Sequence, residues 1–230
     1  MFFCHYAIHT LHTHMFPVYN TLDMSKTKYH EQTLVVLKPD TIQRGLVGEI
    51  ITRFEKKGLK IVAMKMAWPD EKLARDHYFW SDEEKEASGG RTIEAYKEKG
   101  LKITKTAKEY AEDVQRRLYR YLQTGPVVVM VIEGAHAIEL VRKLVGQGNP
   151  LTADVGTIRA DLTIDSYVLA DDVDRAARNM IHASGNPSEA EREIKVWFKK
   201  GDLVDYDLAI EKILYDKEWE TTRKKITKAS

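Results

Sequence analysis

The chain reads as an α/β protein of the α+β kind: a ferredoxin-like split β-α-β sandwich, an antiparallel sheet covered by helices, with a helical insertion. Three observations predict it. Short apolar runs of strand length alternate with amphipathic helical stretches. Their order is strand-helix-strand, then a charged helical stretch, then strand-helix-loop-strand and a last helix. Finally, Val127 to Ile132 is apolar without a break, as expected of a central strand covered on both faces.

Taken in order, Thr33 to Leu37 is a short apolar strand that ends at Lys38-Pro39-Asp40. Gly45 to Lys57 predicts a helix, because Leu46, Ile50 and Phe54 share a face with Val47 and Ile51 beside them. Gly58 closes it. Leu59 to Ala67 alternates as a strand and stops at Trp68-Pro69; a helix is expected over Glu71 to Trp80. Residues 81–124 are charged and helical in character, with Tyr110, Val114, Leu118 and Tyr121 at helical spacing, and Gly125-Pro126 breaks them. After the central strand, Ala135 to Val145 carries a helical stripe of Ile138, Leu140, Val141, Leu144 and Val145, with Arg142 at its edge. A polar loop runs from Gly146 to about Asp161, and a fourth strand is expected near Leu162 to Leu169. No repeat at a solenoid period is present.

Residues 1–29 differ from the rest. They hold four of the eight histidines (His5, His9, His12, His14) and the single cysteine, Cys4, without a sustained period. They lack the basic start and long apolar core of a signal peptide. A metal-binding histidine tract is one reading; a disordered arm, or a start placed too early with Met24 as the natural beginning, is the preferred one. The domain is expected over 30–215, with a charged tail over 216–230.

Composition excludes several function classes. With 230 residues, 43% hydrophobic and 31% charged, the chain suits one good-sized soluble domain. A net charge of +1 gives no reason to expect specific nucleic-acid or anionic-membrane binding. One cysteine excludes intrachain disulfides and thiolate zinc sites, and no apolar run approaches a membrane span. A cytoplasmic location is expected.

The chemistry centres on His182, expected on a short loop just before a helix. Asn186 suits that helix's cap, Pro187 its first turn and Glu189 the capping-box acid, with Glu193 further along. Free N–H groups at a helix start stabilise negative charge, which favours phosphate there. Lys38 at a strand end, Arg142 on a helix edge and Arg159 in a glycine-containing loop could together clamp a polyphosphate. No P-loop run and no protein-kinase motif occurs, so a phosphate site must be built from side chains and a helix start.

Several motifs stand in one order: Val36-Leu-Lys38-Pro-Asp40, Arg44-Gly-Leu-Val-Gly48, His77-Tyr78 and Thr124-Gly-Pro-Val-Val-Val-Met130. They continue with Arg142-Lys-Leu-Val-Gly146, Gly156-Thr-Ile-Arg159-Ala-Asp161, Asn179-Met-Ile-His182-Ala-Ser184 and Arg192-Glu193-Ile-Lys-Val-Trp197. From about Gln32 to Lys199 the chain resembles nucleoside diphosphate kinase. The resemblance implies transfer of the γ-phosphoryl of ATP to a nucleoside diphosphate, by a ping-pong route through a phosphohistidine at His182. It implies phosphate contacts from Lys38, Tyr78, Arg142 and Arg159, a sugar contact from Asn179, and Ser184 and Glu193 supporting the histidine. Mg2+ would be held by the nucleotide phosphates, with no metal ligand from the protein, and the partners would be ATP and nucleoside diphosphates. A homohexamer or homotetramer is implied, and acceptance of all common bases.

This sequence departs from the family at three places. Gly148 stands in the phosphate-binding loop where Thr is usual, with Thr152 or Gln147 as candidate replacements for its hydroxyl. Ala183 replaces the commoner Gly, and Gly185 stands where an Asp usually follows the Ser. Two stretches are longer than the common form, Ser81–Thr124 and Thr163–Ala177. The first spans the place of the base-stacking aromatic, for which Tyr96 is the candidate, with Leu162 as the opposite wall. Two alternatives stay open: a non-catalytic nucleotide-binding or scaffold member of the family, and a histidine phosphotransferase that relays phosphate to a protein.

Overall fold

The computed structural model describes residues 28–98, 100–216 and Trp219. The histidine-rich segment before Lys28 and nearly all of the expected C-terminal tail lie outside the described residues. Strands β1 (His30–Leu37), β2 (Lys60–Ala67), β3 (Val127–Ala135) and β4 (Ile181–Ala183) make one sheet, in the order β2-β3-β1-β4. β3 runs antiparallel to both β1 and β2, and β4 antiparallel to β1. This is the split β-α-β arrangement expected.

The pleat sorts the strands' side chains onto two faces. On one, Val35, Leu37, Val128, Met130 and Ile132 meet α2 (Val47–Lys56) and α6 (Ala137–Val145) through Ile50, Phe54, Val141 and Val145. On the other, Leu34, Val36, Val129 and Val131 meet α3 (Glu71–His77), α5 (Ala107–Gln123) and α9 (Pro187–Trp197) through Ala74, Leu122 and Trp197. A short helix, α1 (Pro39–Gln43), turns the chain immediately after β1.

The charged stretch 81–124 holds two helices, α4 (Asp82–Glu98) and α5. Thr106 caps α5, accepting from Glu109 N, while the Glu109 carboxylate accepts from Thr106 N. The pair approach closely where Gly89 meets Ala107, whose backbone occupies the space a side chain at 89 would need. Inside the pair, Tyr96 packs edge-on against Tyr110, with ring centroids 5.3 Å apart.

One element is corrected. The strand expected near Leu162 to Leu169 is absent, and the stretch contains two short helices, α7 (Ile158–Leu162) and α8 (Tyr167–Asp172). Thr163-Ile-Asp-Ser-Tyr-Val carries β-branched residues, but the Ser166 hydroxyl accepts from Leu169 N at 3.1 Å and starts a helix. Asp165 fixes the approach: it accepts from Ser166 N and Arg178 N and pairs with Arg175. From α5, Arg117 reaches Asp171 at 2.7 Å, joining the two longer stretches to each other. The fourth strand is β4, and it contains His182.

Candidate active site

His182 therefore lies in an edge strand rather than a loop. β4 pairs with β1 through only three positions, Val35↔Ala183, Val36↔His182 and Leu37↔Ile181. Ile181 and Ala183 join the face of α2 and α6, so His182, between them, points to the face of α3 and α9. The bend into this strand is at Met180, whose backbone is left-handed with φ 66°. Its N–H donates to Asp40 Oδ2 at 3.2 Å; its carbonyl accepts from Lys38 N at 2.8 Å and from the Thr41 hydroxyl at 2.6 Å. The same bend thus positions His182 and Lys38.

The ring is oriented from behind. His182 Nε2 lies 2.9 Å from Glu193 Oε2, and the Ser184 hydroxyl donates to that same oxygen at 2.7 Å. Ser184 is itself held by β1, accepting from Leu34 N at 3.3 Å. Asn186 caps α9, accepting from Glu189 N at 2.9 Å, and Glu193 projects two turns further along. Because a carboxylate accepts, the neutral imidazole keeps its proton on Nε2 and presents a lone pair at Nδ1. Burial, then the charge of Lys38, push the His182 pKa down to about 3; Glu189 opposes, and Arg159 and Arg142 add to the lowering. The ring is neutral at physiological pH. Burial pushes Glu193 the other way, above the usual carboxylate range.

His77 stands edge-on to His182, with centroids 4.5 Å apart and planes at 82°. Trp197 Nε1–H donates to His77 Nδ1 at 3.3 Å, which fixes the His77 proton on Nε2. That nitrogen is buried without a hydrogen-bond partner among the described residues. Burial, and secondarily His182, lower the His77 pKa to about 3. His77, His182 and Glu193 bring potential metal-binding atoms within 4.8 Å of one another. The set does not suit Mg2+, a hard cation that takes oxygen ligands. Its one carboxylate already serves His182 and Ser184, and Trp197 leaves His77 Nε2 without a lone pair.

In front of the ring lie cations with few carboxylates to answer them. Lys38 is 3% exposed; Nζ donates to Asn179 Oδ1 at 2.7 Å and lies 5.1 Å from the centre of the Tyr121 ring. Burial, then the charge of Arg159, bring its pKa down to about 7. Asn179 Nδ2 in turn donates to the Gly148 carbonyl at 2.7 Å. Arg159 donates to the carbonyls of Asn179 (3.2 Å), Gly146 (2.9 Å) and Ile181 (2.6 Å), so it ties the backbone entering β4 to the end of α6. Burial lowers its pKa to about 10, which leaves it charged. Arg142 is exposed at the rim beside Gly185. Tyr78, positioned by Gln115 Nε2 donating to its carbonyl, turns its ring to His182, and its buried hydroxyl lacks a partner among the described residues.

The structure thus gathers Lys38, Tyr78, Arg142, Gly148, Arg159, Asn179, His182, Ser184 and Glu193 around one ring. It does not bring Tyr96 there, since that ring packs inside the α4–α5 pair. Leu162 packs against the hydrophobic core, and its carbonyl accepts from Arg44 at 2.5 Å. Thr152 and Gln147 are bonded to each other at 3.1 Å. Glu189 does not close the expected capping box: its carboxylate accepts from Gly185 N at 2.8 Å and fills the space a side chain at 185 would take. His77 and Glu189 were without a site role in the sequence reading. Their signal was only nearness to Tyr78 and His182.

Residues 31–203 match the protein family described as nucleoside diphosphate kinase. A curated protein of that name from Pyrobaculum aerophilum is 47% identical over 180 residues, covering 76% of this chain and 98% of the relative. Another of that name, from Pyrococcus furiosus, is 43% identical over 176 residues, covering 76% and 88%. Among solved structures, an NDP kinase from P. aerophilum aligns with TM-score 0.74 at 44% identity, covering 76% of this chain and all of that one. A transition-state mimic of the Borrelia burgdorferi enzyme, with bound vanadate and ADP, aligns with TM-score 0.67 at 34% identity, covering 81% and 98%.

Proposed function

We propose that His182 is the residue through which this chain works, from the premise that the chain belongs to the nucleoside diphosphate kinase family. It is a phosphotransferase, moving the γ-phosphoryl of a nucleoside triphosphate to a nucleoside diphosphate. In the first half-reaction the His182 Nδ1 lone pair forms a bond to the γ-phosphorus. The bond to the β,γ-bridging oxygen breaks, and nucleoside diphosphate leaves with that electron pair. In the second, a terminal β-phosphate oxygen of another diphosphate attacks, the P–N bond breaks, and the ring is neutral again.

Glu193 and Ser184 act from behind the ring, keeping Nδ1 forward and offsetting the positive charge the imidazole gains on phosphorylation. Lys38, Tyr78, Arg142 and Arg159 bind phosphate, the loop at Gly148 lies against it, and Asn179 contacts the sugar. Mg2+ would be held through the nucleotide phosphates, with no ligand from the protein, and would supply positive charge against the phosphoryl group in transfer. The reading assigns the protein a cytoplasmic location and a homohexameric or homotetrameric state. Among the described residues, no helix is long and apolar enough to cross a membrane.

One observation carries the reading: the bond from His182 Nε2 to Glu193 leaves Nδ1 for the cationic side. Incubation with γ-labelled ATP tests it. Acid-labile, base-stable label should appear on the protein, should pass to added GDP or CDP, and should be absent from His182→Ala. Protein that binds nucleotide and never labels would be a non-catalytic member instead.

A further inference from the structure

We propose that Tyr167, on the inserted helix α8, is a nucleotide-binding residue whose phenol hydroxyl donates to the phosphates beside Gly148. This rests on the reading of the site as a nucleotide site and deepens it.

The observation starts at Gly148. A methyl group built there would overlap the Tyr167 hydroxyl oxygen, so the phenol occupies the volume a side chain at 148 would take. That volume adjoins the cationic cluster. The Gly148 carbonyl accepts from Asn179, and the other end of that amide accepts from Lys38. Among charged groups, Arg159 acts most strongly on the phenol, with Arg91 of α4 next. Gly148 deprives the loop of a hydroxyl, and Tyr167 places one in the vacated space. A parallel stands at Gly185, where the Glu189 carboxylate fills the place of a missing acidic side chain.

The placement is specified by several bonds. Tyr167 N donates to Asn149 Oδ1 at 3.3 Å, tying α8 to the residue after Gly148. Ser166 caps the helix, Asp165 anchors its approach, and Arg117 holds Asp171 from α5. The hydroxyl itself makes no hydrogen bond among the described residues. Thr152 and Gln147, the other candidates for replacing the lost hydroxyl, are bonded to each other. Burial raises the Tyr167 pKa, so the phenol is a protonated donor at neutral pH. A donor of this kind toward phosphate oxygen makes a charge-assisted bond.

The test measures Mg·ADP binding by calorimetry, KM and kcat with ATP and GDP, and the thermal midpoint. Tyr167→Phe should weaken ADP binding and raise KM about tenfold, the loss of one such bond, with kcat within about twofold and the midpoint unchanged. Gly148→Thr alone should bind poorly, because its side chain displaces the phenol. Combined with Tyr167→Ala, it should regain most of the affinity by supplying a hydroxyl from position 148. Tyr167→Phe binding ADP within twofold of wild type overturns the proposal while leaving the nucleotide site intact. So does a weakened Tyr167→Phe that is matched by a lowered midpoint, together with a double variant that does not recover. Wild-type protein that neither binds Mg·ADP nor labels at His182 overturns the nucleotide reading, and this proposal with it.

Discussion

Leu37 and Lys38 are neighbours in the chain and nearly equal in burial, at 0% and 3% exposed, yet they belong to opposite energetic worlds. Leu37 closes a strand whose last four residues are fully buried and apolar, packed against an equally apolar β3. Burial there stabilises at roughly 25 cal/mol per Å2. Lys38 opens a cluster in which His77, Glu193 and Ser184 are buried too, and each ionisable group is pushed toward its neutral form. Burial there costs stability. The sheet must therefore supply the stability that the cluster withholds.

The sharpest way to break this contrast is His182→Ala. Turnover should fall by several orders of magnitude, about what losing a covalent nucleophile costs, with the thermal midpoint nearly unchanged. A coupled assay and calorimetry on one preparation decide it; a collapsed fold would erase the distinction. Phe54→Ala should do the reverse, costing about 3–5 kcal/mol in denaturant unfolding while kcat per folded molecule stays close to wild type. Lys38→Met sits between them: activity should drop about a hundredfold, and the midpoint should rise, because a buried cation is replaced by an apolar chain of similar length. A lowered midpoint would show that Lys38 is stabilising after all. Ser184→Ala should lower turnover only about fivefold, since Glu193 keeps its contact with the ring.

The smallest effect concerns protons. The folded Lys38 pKa is about 7 against a usual 10.5, so between those values the unfolded chain holds one more proton. Stability of the free protein should therefore rise with pH across that window. Nucleotide phosphate would restore the charge, so Mg·ADP binding at pH 8 should take up a proton. Calorimetry in buffers of different ionisation enthalpy would detect it, and Lys38→Met should remove it.

The same contrast explains what could be read from residues alone. α2 and α6 bury one stripe each and are marked by an apolar period, while β1 and β3 bury both faces and are marked by unbroken apolar runs. β4 has no such period: three residues pair with β1, and one of them is the reactive histidine. Its apolar competitor, Leu162 to Leu169, has the more strand-like pattern, but Ser166 and Asp165 turn it into the start of α8. Within the site, Lys38, Asn179, Ser184 and Glu193 were legible because they lie in ordered motifs. Tyr167 and Glu189 were not, since each fills the gap left by a glycine, Gly148 and Gly185, from another position along the chain. Tyr96 shows the opposite failure: an aromatic at the expected place is used by its own helical pair.

So few rungs join β4 to its neighbour that sliding by one position would cost little in ladder bonds, and it would send the imidazole to the far side of the sheet. What forbids the slip is the kink at Met180, clasped by Lys38, Asp40 and Thr41. The clasp works as a pawl: the segment can move only if three grips release together, and one of those grips belongs to the residue whose ammonium faces the ring. Alignment of the ring and alignment of the cation that acts on it most strongly are therefore a single mechanical setting.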